Sequence, residues 1–90
     1  MLRDKDMEKK IILVGAGKIG EEALRFYGAD NVVAFCDNNS ALHGSYVCEK
    51  RVMDINELSS CYESYRVIVA VGAAEAIWNI SMQLKSLSIP

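Results

Sequence analysis

Residues 10–39 read KIILVGAGKIGEEALRFYGADNVVAFCDNN, and this stretch decides the fold. The apolar run 11–14 is typical of a strand buried on both faces. It leads into the spacing G-x-G-x-x-G at 15–20, then a helical pattern, then a second apolar run, 32–36, which stops at Asp37. This order predicts one β-α-β unit of about thirty residues with an acidic side chain at the end of its second strand.

The three glycines of the motif have separate expected roles. Gly15 permits the tight turn, Gly17 lets a phosphate approach the backbone, and Gly20 lets the helix lie close to the strand. The helix then presents free N–H groups and a positive dipole end to an anion. A strand before the motif, a helix after it and an acid beyond it together favour nucleotide binding over a glycine-rich turn that binds nothing.

Two polar residues of this unit have two interpretations each. Asp37 can accept hydrogen bonds from ribose hydroxyls, which favours a ligand with a free ribose diol over NADP. It can also be a turn residue, because Asp37-Asn38-Asn39-Ser40 is a turn-forming cluster. Lys18 can lean over a diphosphate or can be a solvated lysine at a helix start.

Composition sets further expectations. Ninety residues with 51% hydrophobic content predict one small globular domain, with 1–9 as a flexible charged lead-in and 10–90 as the folded part. The net charge of −2 provides no basic field, so we expect no nucleic-acid partner. The early apolar run is too short for a membrane span, so we expect a cytoplasmic protein with no membrane partner. Cysteine spacing predicts reduced thiols and no metal.

The remaining elements follow from local patterns. A helix is predicted over 18–27, with a packing face that consists of Ile19, Ala23, Leu24, Phe26 and Tyr27. Asp54 and Glu57 have capping-box spacing, which predicts a second helix. The apolar strand 66–71 ends at a second small-residue turn, Gly72-Ala73. The last predicted helix, 74–87, carries an apolar stripe that consists of Ala73, Ile77, Ile80, Leu84 and Leu87.

Trp78 and Met82 form a second stripe beside the first. They widen the core face, or they are a surface for a second domain or another copy of the chain. Right-handed crossovers predict a parallel sheet of about four strands in the order 3-2-1-4, with a short strand at Arg51-Val52 on one edge. Ligands bind such sheets where the winding reverses, and both small-residue turns and Asp37 converge there.

The segments ILVGAGKIGEEAL, VVAFCDNNSALHG, RVMDINEL and VIVAVG resemble a small Rossmann-like domain of bacterial surface-polysaccharide biosynthesis enzymes. The chain is similar to the amino-terminal domains of nucleotide-sugar acetyltransferases and of the dehydratase/epimerase group. The resemblance implies a three-layer Rossmann-like sheet with helices on both faces and a module that binds a UDP-type nucleotide-sugar. Chemistry would belong to another domain, because these residues offer no nucleophile, acid–base pair or acetyltransferase hexapeptide repeats. Lys18-Ile19 also stands where the acetyltransferases tend to have a histidine.

Three functions therefore compete at this stage. The main expectation is a nucleotide-binding module without a complete active site, partnered by a second catalytic domain or by a homo-oligomer through Trp78 and Met82. The alternatives are an NAD(H)-binding fragment of an oxidoreductase and a non-catalytic regulatory or assembly domain. The candidate binding residues are Gly15, Ala16, Gly17, Lys18, Ile19, Gly20, Asp37, Asn38, Gly72 and Ala73.

Overall fold

The computed structural model describes residues 9–89 and shows a five-stranded sheet. The expected charged lead-in lies, except for Lys9, outside the described residues, as does Pro90. The strands are β1 (Ile11–Val14), β2 (Val32–Cys36), β3 (Tyr46–Val47), β4 (Lys50–Met53) and β5 (Arg66–Val69). Their spatial order is β3-β4-β2-β1-β5, and all neighbours are parallel except β3 and β4. The mixed α/β class and the order of the four parallel strands are confirmed, and a fifth, antiparallel strand occupies one edge.

Two α-helices cover opposite faces of the sheet, α1 (Lys18–Tyr27) and α2 (Ala74–Ser86). Successive residues of β1 point to opposite faces, as the period of a strand requires. On one face, Ile11 and Leu13 belong to a cluster with Leu24 of α1. On the other face, β1 residues pack in a cluster with Ile80 and Leu84 of α2. Because β1 is buried on both faces, its carboxyl end is held rigidly between the two layers.

Strands β3 and β4 form an antiparallel hairpin at one edge of the sheet. Cys48 and Glu49 connect β3 to β4 with φ angles of 49° and 68°. A two-residue hairpin turn of this kind requires positive φ at both positions, which side chains other than glycine adopt only at a cost in free energy. Tyr46 and Lys50 therefore lie on the two neighbouring strands of this hairpin.

The α-helix predicted from Asp54 is replaced by two short 3₁₀-helices, Ile55–Ser60 and Tyr62–Ser64. The capping box itself is present, with the Asp54 side chain and the Glu57 side chain each accepting a backbone N–H. The expectation of an α-helix is wrong because small polar side chains bond back to the backbone: Ser59 Oγ donates to the Asn56 carbonyl and Ser60 Oγ to the Glu57 carbonyl.

Several apolar side chains expected in the core are exposed. On α1, Phe26 is 82% exposed and Ile19 42% exposed. On α2, Trp78 is 67% exposed, and Ile77 and Met82 are also exposed, so the broad-core interpretation of the second stripe is wrong. The sheet is too narrow to cover more than one stripe of each helix. The last strand also ends earlier than expected, at Val69.

Candidate functional site

The glycine-rich turn between β1 and α1 is fixed by close backbone packing. The Gly15 N–H donates to the Cys36 carbonyl at 2.7 Å, and Gly15 adopts a φ of +121°. A Cβ atom added there would lie 2.5 Å from the Ala70 carbonyl oxygen. A Cβ on Gly20 would collide with the Gly15 carbonyl. The tight turn and the close helix–strand approach therefore both require glycine.

Gly17 has a different environment, because a Cβ atom added there would have no heavy atom within 4 Å. Gly17 is exposed and immediately precedes α1, and its carbonyl accepts the first helical hydrogen bond, from the Glu21 N–H at 3.0 Å. The N–H groups of the first helical turn have no intrahelical acceptor. Open space thus adjoins the end of α1 that favours an anion.

Asp37 follows β2 and contacts the glycine-rich turn directly. Its Oδ2 atom accepts the Ala16 N–H at 3.0 Å, and its Oδ1 atom accepts the Asn39 N–H at 2.8 Å. The second bond makes Asp37 a turn residue, as one interpretation of the sequence predicted. Each carboxylate oxygen keeps a further lone pair, so the group can still accept hydrogen bonds from a ligand.

A third contact fixes the backbone of the same turn. His43, which directly follows the 3₁₀-helix Ser40–Leu42, places its Nε2 atom 2.6 Å from the Asp37 carbonyl oxygen. Asp37 is therefore held through its backbone by this contact and through its carboxylate by the bonds to Ala16 and Asn39.

A cavity of about 310 Å³ lies at the carboxyl ends of β1 and β2, against α2. Its size is within the range of small-molecule sites. The walls are formed by Gly15, Asp37, Asn38, Val71, Ala76, Asn79 and Ile80. The cavity lies beside β1, where the chain changes the side of the sheet on which it adds strands. The strand order predicted a ligand site at this position.

The structure brings only some of the predicted site residues to this cavity. Gly15, Asp37 and Asn38 line it directly, and Ala16 is bonded to Asp37. Lys18 is exposed at the start of α1, Gly20 is buried beneath the turn, and Gly72 and Ala73 are exposed outside the cavity wall.

Gly72 packs near a neighbouring side chain instead of leaving space for a ligand. A Cβ added to Gly72 would lie 3.3 Å from Cγ1 of Ile19. The second small-residue turn therefore mirrors the first in composition but not in geometry.

Residues on α2 complete the site, and the sequence analysis missed them. Ala76, Asn79 and Ile80 supply one wall, and Gln83 lies one turn further along the helix. The amides of Asn38 and Gln83 form two reciprocal hydrogen bonds of 2.9 and 3.1 Å. Asn79 and Gln83 lie four residues apart beside the apolar stripe of α2. This spacing is the sequence feature that could have predicted the polar side of the helix.

Two of the cysteine thiols, those of Cys36 and Cys48, have a raised pKa. All three are free, and burial raises the pKa of Cys36 to about 12. Cys48 is exposed, and its hydrogen bond to Glu21 Oε1 at 3.3 Å raises the thiol pKa. Both thiols are therefore protonated at neutral pH.

Within residues 9–89, no group of three or more potential metal ligands is found. In the same part of the chain, no helix is long and apolar enough to cross a membrane. The cavity offers the polar groups of Asp37, Asn38 and Asn79 beside the apolar side chains of Val71 and Ile80.

Comparison with known proteins identifies a structural neighbour. A Rex-family repressor of known crystal structure superposes with a TM-score of 0.65 and 19% sequence identity. The match covers 90% of this chain and 42% of the repressor chain, so this chain spans less than half of that protein. No protein-family model matches the sequence, and a search of curated proteins found no match. At this identity, the likeness shows a shared fold.

The neighbour corrects two expectations drawn from the sequence. The main expectation, a module of a surface-polysaccharide biosynthesis enzyme, is contradicted, because the matching protein is a repressor, a regulatory protein. The expectation that excluded a nucleic-acid partner is contradicted for the same reason, since a repressor acts through nucleic acid. The net charge of −2 was a poor guide to this partner, because a sum over the chain does not show how charge is distributed on the surface.

Proposed function

We propose that this chain is an NAD(H)-binding domain of a regulatory protein. The observation that carries the proposal is the open space over Gly17 beside a carboxylate that is bonded to the same turn. A diphosphate needs free N–H donors and room near the backbone, and the first turn of α1 has both. A ribose diol needs an acceptor next to it, and Asp37 is that acceptor.

The same geometry supports NAD(H) over NADP(H). The Asp37 carboxylate would face the adenosine ribose, where a 2′-phosphate would meet a like charge. The base would then enter the cavity between Asn38 and α2, whose walls combine apolar side chains with two amides.

A regulatory role fits the site better than an oxidoreductase fragment. The cavity is lined by aliphatic side chains, amides and one carboxylate that is committed to backbone N–H groups. The fold likeness to a repressor favours the same role. A nucleic-acid partner, which the likeness to a repressor suggests, is part of the proposed regulatory role.

The test is thermal unfolding and calorimetric titration with NAD, NADH and NADP. At one hundred times its dissociation constant, a ligand adds about 2.7 kcal/mol, which raises the midpoint of a domain of this size by roughly ten degrees or more. We expect a rise with NAD or NADH and a smaller one with NADP. Gly17→Val should leave the unliganded midpoint nearly unchanged and abolish the rise. No rise in the parent protein would refute the proposal.

A second candidate is a regulatory or assembly domain that has the fold but takes no nucleotide. The exposed apolar side chains of Ile77, Trp78 and Met82 on α2 favour it. In that case Gly17→Val would change nothing, and Trp78→Ser would change the mass measured by light scattering. The two candidates are thus separated by one pair of variants.

A further inference from the structure

We propose that the reciprocal amide pair of Asn38 and Gln83, here called the amide clasp, is the positioning device of the nucleotide cavity. The inference rests on the proposed function and names the residues that hold the adenosine part of the ligand in place. The clasp joins residues 45 apart in sequence, one at the end of β2 and one on α2. Asn38 itself lines the cavity.

The clasp closes the cavity at its rim. Asn38 stands on the β2 side, while Asn79 and Ile80 form the α2 side of the same cavity. Gln83 follows Asn79 by one helical turn, so the two hydrogen bonds connect both sides where they meet solvent. The distance between β2 and α2, and with it the width of the cavity, is therefore set before a ligand arrives.

The pair is also chemically complete. Each amide offers two donors and two acceptor sites, and the reciprocal bonds use one donor and one acceptor on each. Gln83 thereby fixes which way the Asn38 amide faces. A carboxylate or a lysine at position 83 could not do both, because neither supplies a donor and an acceptor together.

The clasp orients Asp37 as well. Asn38 is its direct neighbour in the chain, and the Asp37 carboxylate accepts the Ala16 N–H of the glycine-rich turn. The turn after β2 is thus held at Ala16, at His43 and at Gln83. A ligand that meets a rigid turn loses less free energy to ordering it, so affinity rises without a new contact.

The experiment measures dissociation constants for ADP and for inorganic pyrophosphate by calorimetry. Asn38→Ala and Gln83→Ala should each raise the dissociation constant for ADP roughly two- to tenfold. This is the range expected when one or two side chains must be ordered on binding. Pyrophosphate should bind as before, because it occupies the glycine-rich turn and not the cavity. The double variant should be no weaker than either single one, since both remove the same pair.

Exchange of the two side chains, Asn38→Gln with Gln83→Asn, preserves the number of methylene groups and should restore ADP affinity. Asn31→Ala is the matched control, because its amide donates to the Tyr27 carbonyl at the opposite end of β2. Melting midpoints verify that each variant folds.

The outcomes separate the inference from the proposed function. If the parent protein binds neither ADP nor pyrophosphate, the proposed function fails and the inference with it. If it binds ADP and the clasp variants bind equally well, or more tightly, or with additive losses, the inference alone is overturned.

Discussion

The two turns at the carboxyl ends of β1 and β5 look alike in sequence and differ in structure. Both place small residues after an apolar run, Gly15-Ala16-Gly17 in one and Gly72-Ala73 in the other. In the first, positive φ and backbone contact make glycine obligatory at Gly15. In the second, Gly72 has an ordinary φ and meets only a side chain of Ile19. A second small-residue turn in the sequence therefore does not by itself imply a second tight turn in the structure.

The largest expected effect concerns Gly20. Gly20→Ala would drive a methyl group into the Gly15 carbonyl, so backbone atoms must move. We expect a loss of about 3 kcal/mol or more in the free energy of unfolding. Urea denaturation measures it. An unchanged denaturation midpoint would show that the first turn is not the tighter one.

Asp37→Ala is expected to have the second largest effect on the free energy of unfolding. It leaves the buried Ala16 N–H without its acceptor, which costs about 1–3 kcal/mol of stability. Asp37→Asn is the matched control, because its one oxygen can still accept a backbone N–H and should preserve part of that stability. Equal urea midpoints for the two variants would argue against the role of this hydrogen bond.

The helix that follows the first turn carries a carboxylate, Glu21, that contacts the Cys48 thiol. Glu21 in α1 accepts the Cys48 thiol hydrogen bond and stands near the positive end of the helix. Glu21→Ala should cost about 0.3–1 kcal/mol and lower the thiol pKa, so alkylation of Cys48 at pH 8 becomes faster. Glu22→Ala removes the same charge one residue away and should leave the alkylation rate closer to that of the parent protein. Mass spectrometry of the labelled chain distinguishes Cys48 from buried Cys36.

The smallest effect is expected at the second turn. Gly72→Ala adds a methyl group 3.3 Å from the half-exposed Ile19 side chain, which can yield. Stability should change by no more than about 0.5 kcal/mol. A loss as large as that of Gly20→Ala would remove the contrast between the turns.

Prediction from sequence was most accurate where structure is local. The bounds of α1 and β2 and the Asp54–Glu57 capping box were predicted, because each depends on a few neighbouring residues. The 3₁₀ segment after Asp54 was not, since the side chains of Ser59 and Ser60 donate hydrogen bonds to backbone carbonyls there. The exposure of Phe26 was missed and that of Trp78 was only one of two alternatives, because periodicity identifies apolar faces but not how much of each face the sheet will cover.

The sequence by itself determined the β-α-β unit, the glycine-rich turn and the acid at the end of β2, all within thirty consecutive residues. Only the tertiary structure decided that Asp37 bonds to Ala16, that Gln83 meets Asn38, and that α2 supplies a wall of the cavity. The physical reason is the separation of these residues along the chain. Local patterns specify dihedral angles and hydrogen bonds between near neighbours, whereas these contacts depend on how the two helices pack on one narrow sheet.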